Sequence, residues 1–452
     1  ASRDYLPLVE HLMEYYPEFR NEKLTLESMY GSLYPGKKFN NRVIISRISE
    51  LNRMVENFLL SMKLDKNHAL RSKLVAEMLM DRRAFTNFDN LLGKMINIEK
   101  NVKKISERQL YDLDLMLMLK GQSLLDREMF VETHELLEEN IEVFLIYVVT
   151  RILTMYCAIK NIENFQIAGN SILQLESYMK NIDLENLVKS LGHNKLSAYM
   201  KVMVQVYRLY DSKTNDQLYF KAKKELLENI DVFEQISKFT IFSFLYSYAV
   251  QQINMRRVEF NAEIYDILKL IIKHRAYMKA ENEYMPSMLF REFVITALKQ
   301  KDTRGAERFI ADYAETLAPE NRKTLREYSS GKIMMHQKKY SGALMHYAGT
   351  PGNIQILNLD MKIDRLVCLY ELGNFDKFRE DISKNKTLLK NNKHITEFQR
   401  SSFKAYIEIM ERLIGLRLKP DKKAKLKLIK DTEKKKILHY KEWILQQSAN
   451  LK

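Results

Sequence analysis

The run THELLEEN sets His134 beside Glu135, Glu138 and Glu139. An imidazole with carboxylates in helical reach is the set from which a divalent-metal site or an acid–base pair is built. No second histidine follows at ligand spacing, so the run reads as a solvated charged helix face. His336 and His346 are close in sequence, but their polar flanks and an intervening turn point to exposed rings rather than a metal pair. Cys157 and Cys368 sit in the apolar contexts TMYCAIK and RLVCLYEL. Two such thiols make neither a four-thiolate zinc site nor a disulfide framework, and they read as small buried hydrophobes of a reducing, cytoplasmic setting. The HExxH, CxxC, GxSxG, P-loop and GxGxxG patterns are absent. The expectation is a protein that is not an enzyme, with no metal, no cofactor and no small-molecule substrate.

The elements that carry these residues follow from composition. Of 452 residues, only 13 are Gly and 7 Pro, too few for the turns of a β or α/β fold, so helices joined by short polar turns are expected. Hydrophobic residues at 46% supply a sizeable core. The formal charge of +15 favours an acidic partner, whether a nucleic acid, an anionic surface or an acidic protein. Two windows are strongly apolar, IEVFLIYVVTRILTMYCAIK and ISKFTIFSFLYSYAVQQI. Glu142 and Arg151 interrupt the first and the second is short, so no membrane span is expected.

A local pattern recurs along the chain. A helical stretch ends in a short polar turn, an aromatic residue follows, then a small or apolar residue three positions on and an apolar residue four beyond that. In GKIMMHQKKYSGALMHYAGTP these are Tyr340, Ala343 and Tyr347, with Gly331 before them and Pro351 closing the second helix. In LVCLYELGNFDKFREDI they are Phe375, Phe378 and Ile382, after Gly373 in the turn. Tyr340 and Phe375 lie about 35 residues apart, near the roughly 34-residue tetratricopeptide period. Looser copies follow Phe85, Phe130, Phe165 with Ala168, Tyr219, Phe260 and Gly305. The aromatic is expected to pack into the first helix of its own hairpin, and the small residue to let the two helices approach.

On these residues the chain resembles the tetratricopeptide-like superfamily, most clearly over residues 290–385 and more weakly back to about residue 75. The consensus Trp of the first helix is missing. The resemblance implies an all-α fold, an α-solenoid of stacked antiparallel helical hairpins wound into a superhelix. It also implies a concave groove, lined by first helices, that accepts a peptide or helix of a partner. Tyr328, Lys332, Asn358, Lys362 and Arg365 lie on first helices of the best copies outside the packing positions, and they are the expected partner contacts.

Residues 1–70 look different. Three helices are expected, the third carrying an apolar stripe of Val43, Ile44, Ile48, Leu51, Met54, Val55, Phe58 and Leu59, with Asn40 or Asn41 as its cap. The segment faintly resembles the helix-turn-helix of regulators that carry tetratricopeptide repeats, although no wing hairpin follows. That resemblance implies phosphate contacts from Arg42 and Arg47. After the repeats (residues 71–410), residues 411–452 form a basic end in which Lys422, Lys423, Lys425 and Lys427 could grip phosphates. The more economical expectation there is a terminal helix capping the array. The chain therefore reads as a protein-interaction scaffold, with a nucleic-acid-associated regulator as the alternative.

Overall fold

The computed structural model describes the chain except residues 1–4, 17–18, 20, 165–172, 192–194, 212–214, 279–282, 349, 351–353, 393–394, 436–437 and 452. Among the described residues there are twenty-two α-helices and no strand, only two isolated bridges, Ile105 with Phe233 and Met285 with Leu317. The all-α class expected from the scarcity of Gly and Pro is therefore what forms. Phe165, Ala168 and Pro351, part of the repeat pattern, lie outside the described residues.

The chain divides into two compact units. The first, residues 1–102 and 108–147, holds α1 Leu6–Met13, α2 Leu26–Leu33, α3 Asn41–Lys66, α4 His68–Asp81, α5 Phe85–Lys100, α6 Glu107–Leu125 and the start of α7 Phe130–Asn164. The second, residues 103–107 and 148–452, continues α7 and adds α8 Leu173–Lys180, α9 Leu184–Ser190, α10 Lys195–Asp211 and α11 Asp216–Glu228. Next come α12 Gln235–Asn254, α13 Phe260–Lys273, α14 Ser287–Lys299, α15 Thr303–Tyr313, α16 Pro319–His336 and α17 Tyr340–Ala348. The chain ends with α18 Gln355–Glu371, α19 Phe375–Asn391, α20 Glu397–Leu418, α21 Lys422–Lys434 and α22 Lys441–Ala449. The divide falls inside α7, away from the boundaries expected at residues 70 and 410.

In the first unit, Asn40 caps α3 by accepting from the amides of Arg42 and Val43, as its position before the apolar run suggests. The stripe on α3 behaves otherwise than expected. Ile44 is fully buried, but Val55, Phe58 and Leu59 are exposed, because α3 outruns the short α1 and α2. The core of this unit lies between α5, α6 and α7, around Phe88, Leu92, Leu113, Met116, Leu117 and Leu136. By length and composition one helical stretch, Phe130–Ile162, is long and apolar enough to cross a bilayer, with mean hydropathy 1.7 and 39% of its apolar window buried. Glu142 and Arg151 interrupt the apolar run without ending the helix, and Arg151 pairs with Glu107 at 3.0 Å.

The hairpins share one turn. Arg83, Lys301, Lys338 and Gly373 each lie two residues beyond a helix end and take left-handed φ of 55°, 59°, 59° and 68°. The next amide then bonds back to a carbonyl five residues earlier: Ala84 to Leu79, Asp302 to Ala297, Lys339 to Met334 and Asn374 to Leu369, at 2.8–3.0 Å. This is the Schellman arrangement, which satisfies carbonyls that the helix end leaves open. Phe85, Tyr340 and Phe375 follow as first residues of the next helix, and Phe130 does the same after Glu128 (φ 59°).

The aromatic packs less deeply than expected, although Phe375 meets the Tyr370 ring of α18, the first helix of its hairpin, edge to face at 6.3 Å. Phe130 is 65% exposed, and Phe85, Tyr340 and Phe375 are half-buried, because a first helical residue sits at the rim of its hairpin. The residue three positions later carries the contact: Phe88, Ala343 and Phe378 are fully buried. Guanidinium groups cover two of the rim aromatics, Arg127 over Phe85 at 5.1 Å and Arg417 over Phe375 at 5.5 Å.

Candidate partner-binding cleft

Among the buried residues of helix α18 the charged ones are two aspartates, Asp360 and Asp364, four residues apart and therefore on one face. Both are buried, Asp364 completely. An ionised carboxylate in that position requires close cations and donors. Asp360 receives Arg291 from α14, with Nε at 2.7 Å, and the hydroxyl of Tyr328 from α16 at 2.9 Å. Asp364 receives Lys332 Nζ from α16 at 2.9 Å, Tyr347 from α17 at 2.8 Å and Tyr440, just ahead of α22, at 2.7 Å. Burial first, and then the neighbouring carboxylates, push the phenols of Tyr328, Tyr347 and Tyr440 well above their ordinary range, so all three stay protonated and donate.

Close helix approach makes the second centre possible. Gly331 on α16 faces the Tyr347 ring, and a Cβ there would fall 2.2 Å from Cε1. Glycine lets the ring pass over α16 towards Asp364. Tyr440 takes a left-handed backbone (φ 53°) at the start of α22, and Trp443 Nε1 bonds Glu371 at 2.6 Å. Beneath them Leu428 and Ile444 join the core of α18, α19 and α20, so the two C-terminal helices are built into this unit.

Above the paired charges lies an open cleft of about 790 Å³, walled by α14, α16, α18 and residues 438–443. Ile295, Met335 and Leu438 give it part-exposed apolar surface, over buried Leu298, Ile363 and Val367. Its cations are Arg291, Lys332, Lys299, Lys301 and Lys338. The first two are taken by Asp360 and Asp364, whereas Lys299, Lys301 and Lys338 are exposed and have no ion pair among the described residues. His439, packed against the Tyr406 ring at 6.0 Å, is held below its ordinary pKa, chiefly by burial.

Of the expected partner contacts, Lys332 lines the cleft but is bound to Asp364. Tyr328 is corrected: it is fully buried, its hydroxyl turned to Asp360. Asn358, Lys362 and Arg365 do not line the cleft. Arg365 bonds Asp381 on α19 at 3.0 Å, and Lys362 is half-buried, its pKa drawn down by burial first. Asp360, Asp364, Arg291 and Tyr440 were missed, and their one trace in sequence is the pair of aspartates spaced four apart among the apolar residues of α18.

Among the residues expected to meet phosphates, Arg47 is engaged within its own unit, by Tyr34, Tyr5 and Glu50 at 2.9–3.0 Å, while Arg42 is exposed. Lys425 donates to the carbonyls of Ala449 and Leu451. Lys422, Lys423 and Lys427 remain exposed on α21. His346 meets Glu327 at 2.8 Å, and both cysteines are buried free thiols. No known protein family, curated protein or solved structure matches the chain.

Proposed function

We propose that this protein is a non-enzymatic scaffold, an α-solenoid of antiparallel hairpins that receives a segment of a partner protein in the cleft over α14, α16 and α18. Alternate helices support the stacking: α14 packs on α16 and α16 on α18, while α15, α17 and α19 pair with their own hairpin partners. One observation carries the reading. The buried carboxylates at the base of the cleft are already neutralised by Arg291, Lys332 and tyrosines, while apolar surface and unpaired lysines remain open above them. Such a surface is stable without a guest and has side chains free to contact one.

A photo-crosslinking residue at Met335, in the cleft, is compared with one at Met345, which is 76% exposed elsewhere on the second unit. The reading requires a discrete adduct from position 335 only, and loss of the identified partner's binding in Met335→Asp. Equal adducts at both positions would defeat it.

A second reading, a nucleic-acid-associated regulator, draws on exposed Lys422, Lys423 and Lys427. Phosphate binding through them would weaken steeply with salt and disappear when all three become Glu. A mobility-shift titration that shows no complex at low salt removes it.

A further inference from the structure

We infer that the guest of this cleft is an acidic, amphipathic segment of another protein, its carboxylates meeting Lys299, Lys301 and Lys338 and its apolar side chains meeting the surface around Met335. The inference rests on the scaffold reading and adds the chemistry of the partner. It starts from charge. Five cations face two carboxylates in the cleft, and the two carboxylates are buried and matched. The excess therefore sits on the three exposed lysines. Helix C-termini carry about half a negative charge each, which offsets only part of a lysine at the ends of α14 and α16.

Geometry sharpens the argument. Lys301 and Lys338 occupy the same left-handed position in successive hairpin turns, and the bonds Asp302 to Ala297 and Lys339 to Met334 fix their backbones. Their helices, α14 and α16, pack directly, and neighbouring helix axes lie about 8–10 Å apart. Two turns of a guest helix, about 11 Å, repeat on nearly that interval. Acidic residues about seven apart on a helix would thus meet both lysines from one face. The remaining part-exposed apolar lining is Ile295, Met335 and Leu438 with the rings of Tyr340 and Trp443, over buried Leu298, Ile363 and Val367. Nucleic-acid bases seek exposed aromatic faces, and Trp443 is already engaged by Glu371 and, edge to face, by Tyr370. Apolar surface beside fixed cations, with the one indole engaged, suits an acidic amphipathic protein segment.

The test titrates the full-length protein, at low salt, with three fluorescent probes. One is a peptide of about four helical turns, with Glu on one face at the spacing above and Leu on the other. The second has Lys in place of each Glu, and the third is an oligothymidylate of matched length. The expected result is saturable binding of the acidic peptide alone, weakened about tenfold or more, equivalent to about 1.4 kcal/mol, in Lys299→Glu/Lys301→Glu/Lys338→Glu. The three lysines are exposed, and an unchanged thermal melt of the variant verifies its fold. Equal binding of both peptides, abolished by Met335→Asp, overturns the acidic guest and leaves the scaffold reading standing. Binding of the oligothymidylate alone, or of the acidic peptide with no effect of the triple reversal, also overturns the inference. If no probe binds, the acidic guest is rejected, while the crosslinking comparison still decides the scaffold reading.

Discussion

The hydroxyl of Tyr440 donates to the Asp364 carboxylate at 2.7 Å, joining positions 76 apart in the chain. It is one of three donors on a fully buried acceptor, with Lys332 and Tyr347. Removing only this hydroxyl, in Tyr440→Phe, leaves the carboxylate short of a donor in a site that water does not fill readily. A loss of about 1–3 kcal/mol is expected, read from urea unfolding, with faster amide exchange in α22. No change in either quantity would mean that Tyr440 merely rests on the surface.

Breaking the pair from the other side has a larger effect. Asp364→Leu strands the Lys332 ammonium and two tyrosine hydroxyls. A loss of about 3–5 kcal/mol is expected, whereas the double variant Asp364→Leu/Lys332→Met recovers much of it. A double-mutant cycle by denaturant titration measures the coupling.

Gly331→Ala places a methyl 2.2 Å from the Tyr347 ring, so α16 and α17 must separate or the ring must leave Asp364. Overpacking of this kind costs about 1–3 kcal/mol. Gly93, inside α5 with nothing within 4 Å of its would-be Cβ, is the control. There Ala is expected to stabilise by about 0.5–1 kcal/mol through helix propensity. Thermal melts of the two variants should therefore shift in opposite directions.

Burial holds His439, and burial with Lys238 holds His274, below the ordinary histidine pKa of 6.5. The unfolded chain then takes up protons before the folded one does. The stability tied to the neutral rings is complete above pH 6.5 and is lost as pH falls below it. Asp216, held low by its bonds to Arg257, adds a second loss at more acid pH, once its folded form protonates. Urea midpoints measured from neutral to mildly acid pH should fall, and His439→Gln should flatten the first part of the decline.

Local physics made much of the fold legible. Turn, left-handed residue and aromatic are contiguous, so Phe85, Tyr340 and Phe375 could be read as hairpin landmarks, and each begins a helix. The burial of each landmark was not legible, since it depends on where the hairpin rim meets solvent. The cleft was nearly invisible for another reason. Asp360 is joined to Arg291 across 69 positions and to Tyr328 across 32, and no local pattern marks partners so far apart. Tyr328 and Lys332 looked free because the aspartates that hold them lie in the next hairpin.

Lys301 and Lys338 have a further consequence for how this surface can change. A side-chain-bearing residue in the left-handed region is about 1–2 kcal/mol worse off than glycine there. Selection for hardiness alone would thus drift these turns towards glycine, as at Gly373, and erase two charges from the mouth of the cleft. If the cleft receives an acidic guest, lysine at both places sets robustness against recognition.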